Sequence, residues 1–229
     1  LWLVQRGPGV AVLMNHPFNA GGDFSALLNA VLHEAGCASL ADITSRRGAF
    51  RGEIVRYHYS AAEITALLAD ADADDQRLRI QFPKSSRVYD LRGRVAQRRS
   101  GAVELRLAPG EAALYAALPY EVVECKVVVQ PTGVVGTRLP FHIELNAKGG
   151  EVGDHVAHVK LVSLTNETAA TVPYYSMDVV CSKGVGDAYI PLALNERPGS
   201  YKLVVRDVLS GVSGESPLRI TDRPADDGP

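Results

Sequence analysis

The sequence predicts a mainly β fold: a small β-sandwich domain, then an immunoglobulin-like (Ig-like) β-sandwich, with a short α/β remnant ahead of both. Three observations predict it. Residues 124 to 221 alternate apolar and polar side chains in short runs separated by turn residues. Residues 53 to 118 show the same two-residue period. Only the stretch before Gly36 pairs an apolar strand with an amphipathic helix. We therefore assign 1–45 to the α/β remnant, 46–120 to the small β-sandwich and 121–229 to the Ig-like domain.

In the remnant, Gly7-Pro8-Gly9 reads as a turn and Val10-Ala11-Val12-Leu13-Met14 as a strand buried on both faces. Phe24, Leu27, Leu28, Val31, Leu32 and Ala35 then recur at helical spacing, with Asp23 as N-cap and Gly36 as stop. Half an α/β unit cannot bury its own surfaces, so the apolar side of this helix is expected to pack on the β region or on a neighbouring chain. The chain opens on Leu1 and the apolar run Trp2-Leu3-Val4, which we read as the interior of a longer polypeptide.

The small β domain is expected to hold strands at 53–59, 77–82, 87–91, 103–107 and 112–118. Residues 62–71 are ambiguous, because Ala, Glu and Leu favour helix while Ile64, Ala66 and Leu68 alternate. Their position between strands favours a strand. Residues 119–124 read as a hinge. Beyond it, strands are expected at 126–129, 139–145, 155–163, 174–180, 188–192, 200–208 and 213–220. The Ser210-Gly211 turn follows Asp207.

Composition narrows the function. Against 24 basic residues stand 26 acidic ones, and no Lys or Arg run builds a phosphate-tracking groove, which argues against nucleic acid. No apolar stretch is long enough to span a bilayer, so no membrane insertion is expected, and the compartment is left open. Cys37, Cys125 and Cys181 are odd in number, widely spaced and read as buried thiols.

No catalytic, cofactor or metal constellation stands out. His155 and His158 are three apart, so a strand sends them to opposite faces and one zinc cannot reach both. His155, beside the Asp154 turn, is a candidate contact at the rim of a groove. His16 follows the first strand without a partner motif. Asp70, Asp72, Asp74 and Asp75 lack the glycine and terminal glutamate of a twelve-residue calcium loop and read as a solvated turn. Asp90 reads as a hairpin-turn acceptor. Tyr174 and Tyr175 are the candidate ligand or partner contacts, one ring of the pair facing outward to stack on a sugar or fill a protein pocket.

Gly9-Val10-Ala11-Val12-Leu13, with the helix Leu27-Leu28-Asn29-Ala30-Val31-Leu32-His33-Glu34-Ala35-Gly36, resembles the closing strand and helix of a trimerisation domain. Glu53-Ile54-Val55-Arg56-Tyr57, Ile64-Thr65-Ala66-Leu67-Leu68 and the run from Val103 to Ala112 resemble the β domain that follows it. Together residues 6 to 118 resemble the region after the catalytic barrel in β-galactosidases of glycoside hydrolase family 42. Most of that α/β domain is absent here, and the Ig-like module is an addition to the family plan. The resemblance places the catalytic glutamates in the missing barrel, so it carries no catalytic residue to this chain. It implies a noncatalytic accessory region for domain docking or oligomerisation. The alternative is a carbohydrate-binding or cell-surface adhesion module. The candidate partners are accordingly the missing N-terminal barrel, a second copy of the chain and a carbohydrate.

Overall fold

The computed structural model describes residues 2–6, 9–13, 31, 42–45, 50–82, 86–92, 102–164 and 169–222. The protein is mainly β, built from several sheets, one of them curled into a half-barrel. It divides into two compact units, Leu1–Asp42 and Ile43–Pro229.

In the first unit, β1 (Trp2–Arg6) and β2 (Gly9–Leu13) form an antiparallel hairpin whose register runs from Trp2 opposite Leu13 to Arg6 opposite Gly9. No parallel partner, such as an α/β unit requires, is among the described residues of this unit. Of the helix expected over 23–35 only Val31 is described, and it is helical and buried. The remainder lies outside the described residues.

The second unit begins with β3 (Asp42–Ser45), β4 (Gly52–Tyr59), β5 (Ala62–Ala69), β6 (Gln76–Gln81), β7 (Arg87–Asp90), β8 (Ala102–Leu107) and β9 (Ala112–Leu118). They form a sheet in the order β3-β6-β8 and a second in the order β4-β5-β9-β7. Leu67, Ala69, Val88, Tyr115 and Ala117 from the second sheet share a core with Leu78, Ile80, Val103 and Leu107 from the first. The ambiguous segment is strand β5. It is paired on one side by β4 and on the other by β9, and it buries Ile64, Thr65 and Leu67. Tertiary pairing on both sides overrides the helical preference of its alanines and leucines.

Where seven strands were expected in the second half, the described residues hold eight: β10 (Glu121–Val129), β11 (Thr132–Val134), β12 (Arg138–Lys148), β13 (His155–Ser163), β14 (Ala170–Cys181), β15 (Val185–Pro191), β16 (Gly199–Asp207) and β17 (Ser213–Thr221).

 These eight pair into two sheets, β10-β12-β15 and β11-β17-β16-β13-β14, with β11 running parallel to β17. Inward residues of both, among them Leu139, Phe141, Ile143 and Ile190 on one side and Val159, Leu161, Leu203 and Ile220 on the other, form a single core. At β13–β14 the ladder is interrupted: Val159 pairs with Met177 but Leu161 with Val172, so the segment Pro173-Tyr174-Tyr175-Ser176 leaves the register. Pro173 has no N–H to offer a ladder, which suits it to such a break.

A third core joins the two halves of this unit. Ala62, Ile64, Tyr89, Ala116 and Leu118 pack with Tyr120, Val122 and Leu209. The expected hinge is therefore a packed connection: β9 ends at Leu118, β10 starts at Glu121, and both Tyr120 and Val122 are buried.

Candidate functional site

Two clusters gather the candidate residues. The first lies at the connection just described. Tyr120 stands between β9 and β10, His155 opens β13, and Asp207 closes β16. The Gly153 N–H donates to the Tyr120 hydroxyl oxygen (2.8 Å), which leaves the Tyr120 proton for His155 Nε2 (2.9 Å). His155 Nδ1 then carries the ring proton and donates to Asp207 Oδ1 (2.8 Å). The second Asp207 oxygen accepts from the Ser210 N–H (2.8 Å) and hydroxyl (2.5 Å), so this carboxylate also fixes the turn expected after it. Each polar side-chain atom in the chain of bonds has a partner. Burial raises the Tyr120 hydroxyl above its ordinary pKa, and at neighbouring Tyr89 burial pushes it up to about 12.

Asp-His-hydroxyl is also the order of groups that activates a nucleophile. Here His155 and Asp207 have 0% exposure and Tyr120 only 3%, so no substrate in solvent reaches them. The arrangement holds two β regions together. His155 accordingly sits inside the connection, and a ligand would touch it only if that connection opened. A second link lies at its edge: Ser60, at φ 52° in the β4–β5 turn, accepts a hydrogen bond from the Asp154 N–H (2.8 Å). Asp154 in turn accepts from the Lys183 N–H (2.9 Å) and the Ser182 hydroxyl (3.1 Å), which hold its carboxyl below the usual range.

The second cluster forms where β14 leaves its ladder. The Tyr174 and Tyr175 rings meet edge to face, centroids 4.6 Å apart, with Tyr174 69% exposed and Tyr175 5%. Strict alternation sends neighbouring rings apart, but the break in register lets these two touch while one stays out and the other in. Both reach the loop after β15. The Tyr174 hydroxyl donates to Glu196 Oε2 (2.9 Å), and the Ala193 N–H donates to the Tyr175 hydroxyl oxygen (2.8 Å). Tyr201 donates to Glu196 Oε1 (2.9 Å) and lies 2.7 Å from the Arg197 carbonyl oxygen. Burial alone would raise the Glu196 carboxyl. Hydrogen bonds from Tyr201, Tyr174, Tyr175 and the Arg197 N–H outweigh it and hold the group below its usual range.

Glu196 and Asp207 are the residues that sequence reasoning did not assign to these clusters. Asp207 carries a local signal, the turn after it, but its histidine lies 52 positions away. Glu196 has only the Pro198-Gly199 turn and the following Tyr201 to mark it.

The remaining candidates stay separate. His158 is on the face opposite His155 and pairs with Asp178 (2.6 Å), while His142 pairs with Asp187 (2.8 Å). Cys125 and Cys181 are buried free thiols, pushed up to about 11 by burial and then by the charge of Asp207. Within the acidic turn Asp72 pairs with Arg51 (3.0 Å) and Asp75 with Arg106. Asp90 Oδ1 accepts from the Arg92 N–H (3.0 Å), as its turn position requires. His16 and Cys37 lie outside the described residues. Among the described residues no group of three or more His, Cys, Asp or Glu is placed to hold a metal, and no helix is long and apolar enough to cross a membrane. In comparison with known proteins, no family model matches this chain and no curated protein matches it.

Proposed function

We propose that this chain is a noncatalytic accessory region of a β-galactosidase-like glycoside hydrolase, serving domain docking or oligomerisation. The observation that carries the reading is the buried Tyr120-His155-Asp207-Ser210 chain of hydrogen bonds. It commits polar groups to fixing one β region against the next, as a rigid scaffold needs. The hydrolase part of the reading rests on the resemblance of residues 6 to 118.

We read residues 121–222 as an Ig-like sandwich. Three strands facing five across one core, with β11 parallel to the last strand, support it. So does Tyr201, near the start of β16, whose hydroxyl reaches back to the Arg197 carbonyl in the preceding loop in the manner of a tyrosine corner.

The coding region upstream of Leu1 tests the accessory role. It should specify a barrel-sized domain with paired carboxylates, and the purified chain alone should leave aryl β-galactosides intact. An upstream region without such a domain, or hydrolysis by the chain itself, would overturn the proposal. The exposed Tyr174 ring, held in place by Glu196 and Tyr175, favours carbohydrate binding as the second reading. Saturable NMR shifts with galactose-containing oligosaccharides, lost in Tyr174→Ala, would establish it in place of the first.

A further inference from the structure

We draw no further inference here: the strongest candidate, the exposed Tyr174 ring at the break in β14 beside the loop after β15 that carries the exposed Leu194, belongs to the cluster already described, and nothing in the structure shows what covers it.

Discussion

At Glu196 one carboxylate organises three tyrosines, and its pH dependence has a sign at each end. Burial first, and then the Glu196 charge and hydrogen bonds, push Tyr175 and Tyr201 up to about 12 from an ordinary value of 10. A raised folded pKa contributes stability that is complete below pH 10 and is lost as pH rises through about 12. Glu196 runs the other way. Its lowered pKa contributes stability above the ordinary value of 4.5 that is lost as pH falls through the folded value. Urea unfolding at a series of pH values should therefore show a decline at both ends, and Glu196→Gln should flatten the acid one. An acid limb unchanged by Glu196→Gln would show that the carboxylate is not what the tyrosines hold.

Strands β10 and β17 meet at a glycine. A Cβ added at Gly214 would stand 1.9 Å from the Cys125 carbonyl oxygen, closer than any side-chain rotation can relieve. Gly214→Ala should force the strands apart and cost about 1–3 kcal/mol, read as a lowered urea midpoint at unchanged slope. A midpoint equal to wild type would mean that the two backbones separate freely. This approach is invisible in the sequence, where Gly214 lies between Ser213 and Glu215 in an otherwise ordinary strand run. What was legible were elements set by local pattern: β9 is a short apolar run, 112–118, that follows the Pro109-Gly110 turn, and β13 carries the two-residue period in 155–161. The three-residue β11 was not, because Thr132-Gly133-Val134 is too short to show a period. Tyr174 and Tyr175 were recognisable as candidates, but their contact depends on the broken register opposite Lys160, and the fate of His155 on Asp207 and Tyr120. Those partners are chosen by tertiary structure.

Across residues 50–222 the buried connection makes the two β regions depend on each other. His155→Ala would leave the Asp207 carboxylate and the Tyr120 hydroxyl buried without their shared partner, a loss of about 3 kcal/mol. Calorimetry should then resolve two transitions where the unaltered chain shows one. A variant that melts as one unit at the original temperature would show that the apolar core around Leu118 and Val122 suffices alone. The parallel pair β11–β17 has a different consequence, a mechanical one. The Arg219 N–H donates to the Pro131 carbonyl (2.8 Å) at one end of the pair, and the Val135 N–H to the Thr221 carbonyl (3.0 Å) at the other. Because the strands run the same way, tension drawn backward through Pro131 and forward through Thr221 slides them lengthwise past each other. The bonds then share the load and yield together instead of peeling open in turn, so this short pair is a clasp against stretching.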